Sequence, residues 1–258
     1  MNKWLKIVIG IVVVFVVAVT AMFVLTAGMV DTADAFFDAI KQRDIAKARG
    51  YLAEDFKAST DERALTDFLS KGAILNFKEA SWPNRQTSGG RGELNGSVTT
   101  ETGGVVPLKM MFVKENDAWK IYAIQKPTAG LQSEDASPTA PTKSDQVALV
   151  KQSVYDFIVS VEKKDMEHFR GSLSRLWQRE VTPDALHQAF KSVIDADVNW
   201  AGLNSLEPVL AADGKVDDAG VLMIAGHYAT APKQIHFEQK FIYEGLAWKL
   251  VGFGFHTN

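Results

Sequence analysis

Histidine is the side chain best placed to move protons near neutral pH, and this chain carries five, all in its second half: His168, His187, His227, His236 and His256. None stands four residues from another, so no helical pair for a metal ion is present, and a zinc site would lack a third ligand. His168 and His187 fall on helical stretches and read as surface. His236 shares a strand face with Glu238 and Lys240, which also reads as solvent-facing. His227 differs, because it alternates with Val221, Met223 and Ala225, an apolar face. His256 alternates with Trp248 and Leu250. A cavity holding His227, and Tyr228 if a bulge turned it inward, would bind a polar ligand or work as an acid and base. A hydrogen-bonded core histidine is the plainer reading.

The first half offers less. Its strand carboxylates Glu79, Glu93 and Glu101 sit among polar neighbours, without the burial or like charge that would tune a general base. Ser88-Gly89-Gly90-Arg91-Gly92 lacks the strand-to-helix setting and the Lys-Ser/Thr ending of a phosphate loop, so a hairpin turn is expected. Asn95-Gly96-Ser97 matches a glycosylation sequon but reads as a tight turn. The chain has no cysteine, which removes disulfides, thiolate ligands and a thiol nucleophile. No catalytic residue, cofactor or metal site is assigned.

The elements that must carry these residues are written twice. Phe36-Phe37-Asp38-Ala39-Ile40 recurs as Phe157-Ile158-Val159-Ser160-Val161, and the match runs on through Asp44 over Asp165, Leu52 over Leu173 and Leu65 over Leu186. In each copy an amphipathic helix opens the unit, marked by Ala33, Phe36, Phe37 and Ile40 or by Val150, Val154, Phe157 and Ile158. Two shorter helices follow, with start signals at Ser59-Thr60-Asp61-Glu62 and Thr182-Pro183; Ser144-Asp145 caps the opening helix of the second copy. The period then changes to two. Strands are expected over 74–82, 92–100, 105–114 and 118–125, and over 198–210, 220–230, 234–243 and 247–255. Trp82 answers to Trp200, and Ala118-Trp119-Lys120 to Ala247-Trp248-Lys249. Residues 128–144, rich in Pro, Thr and Ser, read as a linker.

Residues 7–25 are almost wholly apolar and long enough, at about 28 Å as a helix, to span a bilayer. Lys3 and Lys6 precede the stretch and Asp31, Asp34 and Asp38 follow it. The expectation is an anchor over residues 1–30, with a cytoplasmic N-terminus and the rest of a single-pass inner-membrane protein in the periplasm. A net charge of −3 without a basic stripe argues against a nucleic-acid partner.

Helices first, then an antiparallel meander closing on a Trp-Lys strand: this pattern resembles the nuclear transport factor 2-like superfamily, which includes ketosteroid isomerases and polyketide cyclases. The resemblance covers 31–127 and 145–258. It implies an α+β fold of two tandem cone-shaped domains, each with three helices on a curved antiparallel sheet, behind one transmembrane helix. It further implies a cavity in each cone, for which Trp200, His227, Tyr228 and Trp248 are the candidate lining residues of the second domain. The expected function is binding or scaffolding without catalysis, toward a small apolar ligand or an envelope protein partner. The alternatives are an isomerase-, cyclase- or hydrolase-type enzyme acting through His227, and an assembly protein whose domains pack sheet against sheet. The shape does not choose among them.

Overall fold

The computed structural model describes residues 26–127, 140–195, 200–231 and 234–257. The chain divides into two compact units, Met1–Pro127 and Thr128–Asn258. Both are mixed α and β, and each is built on an antiparallel sheet.

In the first unit, helix α1 (residues 26–41) buries Met29, Ala33, Phe36, Phe37 and Ile40, a stripe at three- and four-residue steps. It ends at Arg43, whose φ of 60° turns the chain through the left-handed region. Three short helices follow: α2 (Ile45–Arg49), α3 (Glu54–Ser59) and α4 (Glu62–Lys71). Asp44 caps α2, and Asp61 caps α4 by accepting the Ala64 N–H at 2.7 Å. The expected three helices are therefore four, since α3 lies between the two short segments read from the pattern. The sheet runs in the order of the chain: β1 (Phe77–Ser88), β2 (Arg91–Thr100), β3 (Val105–Glu115) and β4 (Ala118–Gln125). Gly89 and Gly90, at φ 56° and 79°, form the two-residue turn between Ser88 and Arg91. Asn116 and Asp117, also at positive φ, do the same between Glu115 and Ala118.

Asn95-Gly96 is not a turn. It lies within β2, where the sheet needs a residue without a side chain: a Cβ on Gly96 would stand 1.9 Å from the Ser81 carbonyl oxygen. The bulge in β1 between Ser81 and Asn84 brings that backbone close.

The second unit opens with α5 (Lys143–Lys163), capped by Thr142 rather than Ser144; its hydroxyl accepts the Asp145 N–H. Lys164, at φ 53°, ends it as Arg43 ends α1. Helices α6 (Glu167–Ser172), α7 (Arg175–Glu180) and α8 (Pro183–Ala189) follow, with Thr182 and Pro183 starting α8 as expected. Two further turns follow, α9 (Lys191–Ile194) and α10 (Trp200–Leu203), the second on ground expected to be strand. Trp200 is helical, and the strand expected over 198–210 shrinks to β5 (Val209–Leu210). The sheet is completed by β6 (Lys215–Val216), β7 (Val221–Tyr228), β8 (Ile235–Glu244) and β9 (Ala247–Thr257), in the order β5-β7-β8-β9 with β6 also on β7.

Two irregularities occur in both units. Leu52 forms an isolated parallel bridge to Ile121, and Leu173 forms one to Leu250. The last hairpin of each sheet carries a bulge, at Met111/Phe112 and at Lys240/Phe241.

The expected span over residues 7–25 lies outside the described residues. Among the described residues no helix is long and apolar enough to cross a membrane. The expectation of a single-pass inner-membrane protein with periplasmic domains is withdrawn on that finding.

Candidate functional site

The core of the second unit centres on Phe157. Its ring meets those of Phe169, Phe190, Trp200, Phe253 and Phe255 at centroid distances of 5.1 to 6.0 Å. This cluster fills the space between α5 and the sheet where an open cone was expected. Trp200, 8% exposed, is one of its walls, and its indole nitrogen is buried without a hydrogen bond among the described residues. Trp248 packs at the edge of the core, its ring perpendicular to Tyr243 at 5.4 Å. Neither tryptophan lines the groove along α5.

His227 sits on the other side of the sheet. Along β7 the buried positions are Leu222, Ile224, Gly226 and Tyr228, so Val221, Met223, Ala225 and His227 form the outer face. The apolar run that suggested an interior is an exposed one, with Met223 45% exposed. Tyr228 needs no bulge to point inward. His256 is displaced from the face of Leu250 by the bulge in β9: one extra residue inverts the alternation, sending Phe253 and Phe255 inward and His256 outward. The register then places His227 beside His236, and His236 beside His256.

What the second unit does offer is a groove of about 420 Å³ along α5. Lys151, Gln152 and Tyr155 form one wall, and Leu203 at the end of α10 with Asn204 after it form the other; Tyr228 lies beneath. Lys151 is ion-paired with Glu207 at the rim. Tyr155 is half exposed. Tyr228 is 1% exposed, and no hydrogen bond to its hydroxyl is present among the described residues. Burial, and then the negative charge of Glu207, push its pKa well above the ordinary phenol value, so the hydroxyl remains a neutral donor.

Gln152 connects the groove to a polar pair missed in the sequence. Its amide donates to Asp156 Oδ1 at 2.9 Å, and the same oxygen lies 3.2 Å from His168 Nε2. Asp156 is buried on α5, so His168 is not a free surface residue but ties α6 to α5. The twelve-residue spacing crosses a helix end, which conceals the pair from any periodic pattern. Deeper in, Ser153 donates to Gln239 Oε1 at 2.6 Å, and the Gln239 amide nitrogen is buried without a partner among the described residues. Glu244, 1% exposed, accepts the Arg175 N–H through both oxygens, at 3.0 and 3.2 Å, and so seats the start of α7.

In the first unit Glu93 is not a plain surface carboxylate. It accepts from Asn95 at 2.6 Å and pairs with Lys109 at 2.7 Å, where the lysine side chain is only 5% exposed. Glu79 and Glu101 are exposed, as expected. Asp34 has its pKa raised, chiefly by partial burial and further by Asp38 and Asp31, against the opposing pull of Trp82 and Arg85. Among the described residues no group of three or more histidine, aspartate or glutamate side chains is placed to hold a metal ion.

No protein-family model matches the chain, and no curated protein matches it. Among solved structures, a cystatin-like protein from Ruminococcus gnavus is 11% identical, covering 90% of each chain at a TM-score of 0.29. An Ntf2-like protein involved in plasmid conjugation is also 11% identical, covering 87% of this chain and 95% of its own, at a TM-score of 0.22. Likenesses at these scores are too distant to bear on function.

Proposed function

We propose that this chain is a binding protein made of two nuclear transport factor 2-like units, the second of which takes a small, largely apolar ligand in the groove along α5. The groove over Tyr228 carries this reading. Its volume of about 420 Å³ falls in the range of small-molecule sites. Its chemistry is an apolar floor with a few polar groups: a protonated phenol, the amides of Gln152 and Asn204, and a lysine already neutralised by Glu207. Such a lining favours a neutral molecule with one or two hydrogen-bond acceptors over an anion. The element order of both units supports the family assignment, as do the matched left-handed residues Arg43 and Lys164 and the matched bridges at Leu52 and Leu173.

The catalytic alternative through His227 loses its setting, because that ring lies on the sheet face opposite Tyr228. The test is ligand-observed NMR on the full chain with a panel of neutral aromatic ketones and amides. Binding to the wild type that is lost in Ala148→Trp, a change at an exposed groove position, supports the proposal. Equal binding by Ala148→Trp and Tyr228→Phe overturns it.

A further inference from the structure

Three of the five histidines end up in one row. His227, His236 and His256 are register partners across β7, β8 and β9, on the outer face of the second unit's sheet. Their rings touch in sequence: His227 to His236 at 5.7 Å between centroids and 41° between planes, His236 to His256 at 5.1 Å and 14°. His227 and His236 are half-buried and His256 is exposed.

Two imidazoles sharing one tetrahedral ion, with metal–nitrogen bonds of about 2.0–2.1 Å, have ring centres roughly 5–6 Å apart. Both observed separations lie there already, so coordination needs rotation of side chains at the surface and no movement of the strands. The flanking row on the same face, Ala225, Glu238 and Gly254, is small on both sides of Glu238, which leaves room above the rings. Glu238 itself pairs with Lys240 at 3.3 Å.

We infer that this row is a surface site for a borderline divalent transition ion of the Zn²⁺, Cu²⁺ or Ni²⁺ class, held by His236 and one neighbouring histidine, with water completing the shell. Imidazole donors select such ions over Mg²⁺ or Ca²⁺, which prefer oxygen. The site is independent of the groove along α5, because it lies on the opposite face of the sheet.

The experiment is titration of the full chain with Zn²⁺ alone, followed through the imidazole ¹⁵N resonances. Expected is a saturable shift of His236 and one neighbour at one equivalent, with His168 and His187 unmoved. His236→Gln then weakens binding by about tenfold or more, with an unchanged denaturation midpoint showing that the fold is intact. His227→Ala and His256→Ala identify the second ligand, by whichever of them reproduces that loss. Undiminished Zn²⁺ affinity in His236→Gln, or shifts spread evenly over all five histidines, overturns the inference.

Discussion

Phe157 and Phe36 stand at matching places in the two units, and truncating each to alanine should have unequal effects. Both are fully buried, so both changes remove the same ring and leave a similar initial cavity, a loss of about 3–5 kcal/mol. Their surroundings differ. The Phe36 ring meets Phe37 edge-on at 5.2 Å. Phe157 meets Phe169, Phe190, Trp200, Phe253 and Phe255. Taking each extra aromatic pair at its lower value of about 0.5 kcal/mol places Phe157→Ala about 2 kcal/mol above Phe36→Ala. That puts Phe36→Ala near 3 and Phe157→Ala near 5 kcal/mol, against a stability of about 5–15 kcal/mol for a domain. Urea unfolding of the full chain, followed by tryptophan fluorescence and by far-UV circular dichroism, reads both. Phe157→Ala should bring one transition to much lower urea, and Phe36→Ala should shift the other less. A smaller loss for Phe157→Ala than for Phe36→Ala would refute the view that a ring cluster, rather than an open cone, fills the second unit.

Other outcomes follow from single contacts. Gly96→Ala should cost about 3 kcal/mol, read from the chemical denaturation midpoint, because the new methyl group meets the Ser81 backbone and the Trp82 ring. Glu93→Ala should cost about 1–3 kcal/mol by removing a charged hydrogen-bond partner of the nearly buried Lys109, read from the same midpoint. Asp34→Asn should stabilise the protein at pH 7 and not at pH 3. The raised native pKa means that the wild type loses stability as pH climbs from the ordinary carboxylate value through the native one. Thermal melts at the two pH values check this, and the gain should be small because the side chain is largely exposed.

How far the sequence could be read depends on whether a feature is periodic. The strands of the first unit were visible to within a few residues at most ends because the turns Gly89-Gly90 and Asn116-Asp117 separate them. The extension of β1 from Trp82 to Ser88 was not visible, since Pro83 and the bulge beside it break the pattern. In the second unit the strand assigned around Trp200 failed. Its apolar residues serve a short helix against Phe157, and a run of that length does not distinguish helix from strand. His227 and His256 were misplaced for a different reason. Alternation tells which residues share a face, but not which face is inside, and His227 sits with an apolar set that happens to be the exposed one. His256 changed sides through a bulge that no pattern in the sequence announces. Of the four candidate lining residues, Tyr228 alone meets the groove. The Asp156–His168 pair was invisible because it joins two helices across a turn.

The parallel bridges at Leu52–Ile121 and Leu173–Leu250 bear on the order in which each unit can assemble. Each joins an early loop to the final strand, closing roughly 70 residues of chain at an entropic cost that nothing repays until that strand arrives. The helices beside the bridges, α2, α3, α6 and α7, are five or six residues long, too short to persist alone. They must therefore form late, once the last hairpin has zipped. Each unit is fastened by the end of its own chain, and a nascent copy still missing that strand would hold its hairpins but leave these helices unmade.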